Sequence, residues 1–346
     1  MAIKDLFDFF DELDDEDSIT AYLQFDAHRS RNPKGRLPKK LEAEEQAFIA
    51  AQDTSRATFQ FTYRAARFEE GWLLDSLGGF AEHQWISDVL GKVKGGKEAS
   101  VYLCRAGNAV TAAHPGVTLV AAKVYRPREL RNLKNDHRYR EGRADLDSEG
   151  RQIIDDGALH AIASRSAYGE ELRHQSWIAY EYTTIATLHA AGADVPRPYT
   201  MANNAILMDF IGEAGMAAPA LNDISLERDQ AGVLFDRAVR NLEIMLAHER
   251  VHGDLSAYNI LFWDGEITLI DFPQVVSPKS NRNAWTIFQR DVERVCEYFA
   301  GQGVDCNPHR LARDLWTACG YPVREAVHPR DLNPDDPRDR RLWERR

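Results

Sequence analysis

The chain has 346 residues, about two ordinary domains or one large two-lobed one, and 44% of them are hydrophobic, which supports a substantial core and excludes a mainly disordered chain. Lys and Arg number 43 against 54 Asp and Glu, and the formal net charge of −11 excludes the overall basic field that drives non-specific nucleic-acid binding, leaving room only for a local basic patch. No apolar run reaches the roughly 18 residues of a membrane span. The first eighteen residues, with Asp5, Asp8, Asp11, Glu12 and Asp14 to Asp17, carry the wrong charge sign for a signal or transit peptide. Cys104, Cys296, Cys306 and Cys319 stand far apart, without a Cys-x-x-Cys pair, which disfavours a disulfide framework or a structural zinc. A soluble, cytoplasmic protein is expected.

Residues 1–71 read as a charged, peripheral helical extension, with an Ala-, Glu- and Arg-rich stretch from Leu41 to Arg67. Between Trp72 and Leu90 the apolar residues recur mostly at three- and four-residue steps, which predicts an amphipathic helix interrupted at Gly78-Gly79. Ala99–Arg105 and Val117–Tyr125 read as consecutive antiparallel strands joined by a loop. Arg126–Arg173 is dense in charge and reads as a long flexible insertion. Trp177 to His189 forms a helical stripe, ended by Gly192 and the Pro196/Pro198 pair. Ala205–Ile211 is a buried strand, and the Gly/Ala-rich link through Gly212 and Gly215 is the expected boundary between lobes at 72–212 and 213–323. Beyond it come a helix over Gln230–Arg250, a hairpin turning at Asp264-Gly265, and an amphipathic helix over Trp285–Phe299. Residues 324–346 read as a charged tail.

The chemistry concentrates in His252-Gly253-Asp254-Leu255-Ser256-Ala257-Tyr258-Asn259, the apolar hairpin after it, and Ile270-Asp271-Phe272. An Asp, an Asn five residues on and a second Asp twelve beyond that form the pattern of a phosphotransferase catalytic loop. Asp254 would take the proton of the attacking hydroxyl or orient it, and Asn259 and Asp271 are hard oxygen ligands suited to Mg²⁺ between phosphates. Each residue alone is as well explained by a turn or a cap; together, flanking one apolar hairpin, they point to an ion site. Upstream, the glycines of Gly95-Gly96-Lys97-Glu98-Ala99-Ser100-Val101 would let backbone N–H groups approach phosphate oxygens. Lys123, inside the apolar run Val120-Ala121-Ala122-Lys123-Val124, needs an anionic partner, and Glu181 on the helix beginning near Trp177 is the candidate. Adenine would lie against Ala205–Ile211, with Met208 at the back and backbone groups of Asp209 and Ile211 at its edge.

Taken in order over roughly Leu77 to Leu315, these motifs resemble the RIO family of atypical protein kinases. The match runs through Gly-Lys-Glu-Ala-Ser-Val-Tyr, Ala-Ala-Lys-Val-Tyr, Trp177 with Glu181, Met208-Asp209-Phe210-Ile211-Gly212, His252 to Asn259, and Ile270-Asp271. The resemblance implies an α+β, two-lobed protein-kinase-like fold, a small antiparallel sheet plus helix followed by a mainly helical lobe. It implies ATP and Mg²⁺ as cofactors and either phosphorylation of serine or threonine in a protein acceptor or in the chain itself, or an ATPase acting as an ATP-driven switch, or both. By the same likeness Asp254 is the catalytic aspartate, Lys123 the phosphate anchor and Asn259 and Asp271 the metal ligands, with Ser256 and Tyr258 at the nucleotide. A ribosome-related partner follows from resemblance alone.

The chain also departs from ordinary protein kinases. Gly253 stands where they carry the arginine of His-Arg-Asp, Ser256 where many have a lysine, and Phe272-Pro273 replaces Phe-Gly. Thirteen residues separate Asp271 from Trp285, and no Ala-Pro-Glu follows, so the usual activation loop and substrate platform are not expected. Small-molecule phosphotransferases of the aminoglycoside or choline kinase type share His-Gly-Asp-x-x-x-x-Asn, and an ATP-binding scaffold without kinase activity is a third reading; the Gly-Lys-Glu-Ala-x-Val-Tyr loop favours the RIO type.

Overall fold

Leu119–Tyr125 (β3) is apolar at every position but Lys123, and six of its seven residues are buried, which is the pattern of a strand covered on both faces. It sits at the centre of a five-stranded antiparallel sheet in the order β1-β2-β3-β5-β4, with β1 Ile86–Gly95, β2 Ala99–Ala106, β4 Pro198–Ala202 and β5 Ala205–Asp209. The register pairs Lys123 with Val101 on β2 and with Ile206 on β5. This computed structural model describes residues 59–96, 98–126, 141–202 and 204–323. The chain before residue 59, Lys97, residues 127–140, Asn203 and the tail from 324 therefore lie outside the description, and with them most of the expected extension and the whole charged tail.

The fold is α+β, and the described residues fall in two compact units: the first combines 59–126, 144–189 and 195–218, the second 141–143, 190–194 and 219–323. In the first, helix α1 (Arg67–Glu82) contributes Leu73, Leu77 and Phe80 to a core cluster with Val89, Tyr102, Val120 and Leu207. Three readings of this region are corrected. Helix α1 runs through Gly78-Gly79, where an added Cβ would meet nothing, so the pair interrupts neither packing nor backbone. Ile86 to Leu90 is strand, not helix. Register shifts after Ile86, Val89 and Lys92 break the two-residue alternation of β1 and leave an apolar spacing that imitates a helix. A short helix, α2 (Asn108–Ala113), lies in the connection between β2 and β3.

The expected flexible insertion also holds ordered structure. Helix α3 (Asp156–Ala163) is capped by Asp155, whose carboxylate accepts the Ala158 N–H at 2.8 Å. None of its residues is buried, so it writes no apolar stripe into the sequence. Helix α4 (Ala167–Ala190) begins ten residues before Trp177, and its buried residues start with Gly169. Strand β4 begins at Pro198, the second proline of the Pro196/Pro198 pair, and Gly212–Glu213 (β6) with Met216–Ala217 (β7) makes a small hairpin where a plain link was expected.

The second unit is mainly helical. Helix α5 (Arg228–Ala247) precedes the segment His252–Asn259, the hairpin of β8 (Ile260–Trp263) and β9 (Glu266–Leu269) turns at Asp264-Gly265, and α6 (Ala284–Gly301) follows. A last helix, α7 (Pro308–Ala318), capped by Asn307, packs Trp316 against Trp285 and Phe288. The end of α6 and the loop before α7 bring Cys296 and Cys306 to a Cα separation of 5.9 Å in a disulfide, against the expectation from spacing. Among the described residues no helix is long and apolar enough to cross a membrane.

Candidate functional site

In the first unit, alternation along β3 puts Lys123 and Tyr125 on one face. Lys123 Nζ lies 2.6 Å from Glu181 Oε1, and the Tyr125 hydroxyl donates to Glu181 Oε2 at 2.7 Å. Lys123 is 8% exposed and Glu181 1%. An ammonium and a carboxylate brought so far out of water are tolerable only as a hydrogen-bonded pair, which is why the sequence places an acid on α4 opposite the lysine, 58 positions away. Tyr125 itself is held edge-on by Trp177, with ring centroids 5.0 Å apart.

The glycine-rich segment closes the β1–β2 hairpin. Gly95 pairs with Ser100, and a Cβ on Gly96 would stand 3.0 Å from the Ala99 carbonyl oxygen. Lys97 lies outside the described residues; the Glu98 carbonyl accepts the Arg126 N–H at 2.9 Å. Ala99 and Val101 are half-buried, whereas Ser100 is fully buried. Met208 is buried at the end of β5. The Asp209 N–H donates to the Arg197 carbonyl at 2.9 Å, and the Ile211 carbonyl accepts the Ala218 N–H at 3.0 Å. The Asp209 carboxylate accepts the Tyr199 hydroxyl, so that side chain is engaged within the sheet.

In the second unit the β8–β9 register, Ile260 opposite Leu269, brings the flanks of the hairpin together: the Ile270 N–H donates to the Asn259 carbonyl at 3.0 Å. Asn259 and Asp271 therefore stand at the same open end. Asn259 Nδ2 donates to the Asp254 carbonyl at 2.9 Å, a bond in which its Oδ1 takes no part. Asp271 is exposed and holds a left-handed backbone, φ 72°, an uncommon state for a residue with a Cβ. His252, 1% exposed, makes a 3.1 Å contact from Nε2 to the Ile270 carbonyl and stacks on Phe272 at 4.8 Å. Ser256 enters a single helical turn over Ala257–Asn259, on which Tyr258 is 59% exposed.

Four residues that sequence reasoning missed organise this loop. Asp291, on the buried face of α6, accepts the Gly253 N–H at 2.7 Å and the Leu255 N–H at 3.3 Å. Burial pushes its carboxyl up to about 7, against the pull of those two N–H groups and of Arg290. Arg290 donates to the Gly253 carbonyl, and Arg294 Nη1 lies 2.7 Å from Asp254 Oδ1. Arg143, from the supposed flexible insertion, donates to the carbonyls of Pro273 at 3.0 Å and Val275 at 2.8 Å. Asp291 could have been found: an acid beside Phe288, Val292 and Val295 on the apolar side of a helix needs partners. The arginines carried no such signal.

A small antiparallel sheet with a lysine fixed to a helical glutamate, followed by a mainly helical unit with an Asp-Asn-Asp hairpin, defines the protein-kinase-like class. Within that class, residues 108–311 match the family model described as the RIO domain, well over half of the chain, and the chain belongs to the RIO family. It is 32% identical over 233 residues to the serine/threonine-protein kinase RIO1 of Chaetomium thermophilum, covering 64% of this chain and 41% of the relative. To the RIO-type serine/threonine-protein kinase Rio1 of Methanocaldococcus jannaschii it is 28% identical over 243 residues, 70% of this chain and 73% of that protein. To its namesake in Thermoplasma acidophilum it is 29% identical over 135 residues, 39% and 69% of the two chains. The chain thus spans well under half of the Chaetomium relative and about three-quarters of the archaeal one from Methanocaldococcus.

Proposed function

We propose that this chain is a RIO-type serine/threonine kinase that transfers the γ-phosphoryl group of ATP, with Mg²⁺, to a hydroxyl of a protein acceptor or of the chain itself. The observation that carries the reading is the hairpin: two hard oxygen side chains, Asn259 and Asp271, at one open end, with Asn259 tied to the backbone of Asp254. The donor set fits magnesium. Among the described residues no three His, Cys, Asp or Glu side chains form a metal cage, and one Asp with one Asn suits an ion whose other ligands are phosphate oxygens and water. When bound, the metal ion neutralises charge on the transferring phosphoryl group.

The roles of the chain's own residues follow from their chemistry. Lys123, aimed by Glu181, supplies a fixed positive charge to phosphate oxygens. Gly95, Gly96 and the backbone through Val101 cover those phosphates, and the Ile211 N–H, whose own carbonyl is already engaged, donates to the adenine edge. Asp254 accepts the proton of the acceptor hydroxyl as its oxygen bonds to phosphorus and the bond to the leaving ADP oxygen breaks. Asp291 keeps Asp254 in place by holding the N–H groups on either side of it.

The test is ATP turnover and phosphoryl transfer by the full chain with and without Mg²⁺, comparing the parent with Asp254→Asn. The proposal expects magnesium-dependent turnover that the substitution lowers by roughly 10²- to 10⁴-fold. Turnover indifferent to both metal and substitution overturns it.

A further inference from the structure

Arg294 makes one hydrogen bond or ion pair among the described residues, the 2.7 Å contact to Asp254. Both side chains are open to solvent, 39% exposed for the arginine and 41% for the aspartate. A guanidinium has five N–H donors, and a single carboxylate oxygen engages few of them. An acceptor hydroxyl that approaches Asp254 must therefore arrive beside a cation with unspent donors, and the pair it meets is held by an exposed contact of the kind that exchanges at little cost. One turn earlier on the same helix, Arg290 reaches the Gly253 carbonyl, so two guanidinium groups border the loop. Between Asp271 and α6 the described chain makes only turns and a single bridge over residues 273–283.

We infer that Arg294 is a specificity-determining residue that selects acceptor hydroxyls flanked by carboxylate side chains in the acceptor protein. The inference rests on the proposed kinase reaction and deepens it by naming the acceptor class. In the free protein Arg294 rests on Asp254. With an acidic acceptor bound, its guanidinium turns to the acceptor carboxylate and frees Asp254 Oδ1 for the hydroxyl proton. A neutral acceptor offers no replacement anion, so the arginine stays on the base and competes with the hydroxyl.

The experiment uses the full chain, Mg-ATP and two synthetic peptides that differ only at the positions flanking one serine, glutamate in one and glutamine in the other. Peptide phosphorylation gives kcat/KM for each, and ATP turnover without peptide is measured alongside. The parent is expected to favour the glutamate peptide by about tenfold, the scale of one charge-assisted hydrogen bond. Arg294→Ala should bring that ratio near one, by raising KM for the glutamate peptide and by freeing Asp254 for the glutamine peptide, and Arg294→Lys should restore part of it. Should the alanine variant fail to fold, raising salt must shrink the parent's preference. A parent that turns over ATP yet treats the peptides alike, a ratio that survives Arg294→Ala, or a preference indifferent to salt overturns the inference and leaves the kinase reading standing. A parent inert toward ATP and both peptides removes the kinase reading and this inference with it.

Discussion

The two units each carry a cation–carboxylate pair at nearly the same distance, Lys123 to Glu181 at 2.6 Å and Arg294 to Asp254 at 2.7 Å. Their surroundings differ sharply: side-chain exposures are 10% and 1% in the first and 39% and 41% in the second. In the first, desolvation makes each partner dependent on the other, and removing one strands the other's charge. In the second, water replaces a lost partner, so the contact contributes little to stability and can be exchanged for another. A phosphate anchor has to stay in one place through a reaction cycle, whereas a general base has to release whatever holds it when the acceptor arrives. On the proposed reaction, the burial of each pair suits it to one of these two tasks.

The comparison can be broken most decisively at Asp254. Asp254→Asn should lower phosphoryl transfer by roughly 10²- to 10⁴-fold, the range for losing a positioned base, with ATP affinity by calorimetry nearly unchanged. Loss of nucleotide affinity on the same scale would assign Asp254 to binding. Lys123→Ala comes next. It should destabilise the chain by about 3 kcal/mol in urea titration, because Glu181 is left 1% exposed with the Tyr125 hydroxyl as its neutral donor, and it should weaken ATP binding. A stability change below about 1 kcal/mol would erase the distinction between the pairs.

Asp291 tests whether the loop beneath the exposed pair is held from inside. Its folded-state pKa of about 7 lies above the ordinary 3.8, so between those values the folded state retains a proton that the unfolded state has lost. Stability from this group is therefore largest below about pH 4, falls as pH rises through that window, and is flat above it. Asp291→Asn should remove that slope in denaturation curves at a series of pH values, while costing about 1–2 kcal/mol for the poorer match to two N–H donors. The smallest effect is expected from Arg294→Ala: because both partners are well solvated, less than about 1 kcal/mol of stability, read from the same urea titration as Lys123→Ala. A loss matching that of Lys123→Ala would mean that the exposed pair is structural.

The buried pair was legible because a lysine in an apolar strand is anomalous on its own, and a helical acid downstream answers it. The Asn259–Asp271 hairpin was legible because Asp264-Gly265 fixes the turn and the apolar residues fix the register. Arg294 and Arg143 were not, since an arginine on a solvated surface is unremarkable until a fold sets its partner in front of it. The β1 strand was misread for a related reason: three register shifts hide its alternation, and Ile86, Val89 and Leu90 fall on a helical period by accident. Helices α3 and the start of α4 escaped because helices that bury little leave no periodic trace. The Cys296–Cys306 bond depends on where α6 ends, which spacing does not encode.

Gly253 has a backbone φ of 88°, and a Cβ there would stand 2.2 Å from the Gln274 carbonyl oxygen. Any L-residue at this position meets both a strained backbone and a steric collision. A chain built this way cannot regain an arginine there by point substitution and so cannot acquire control through a phosphate that such an arginine would grip. What holds the loop comes instead from α6, through the carboxylate and guanidinium groups that clasp its backbone.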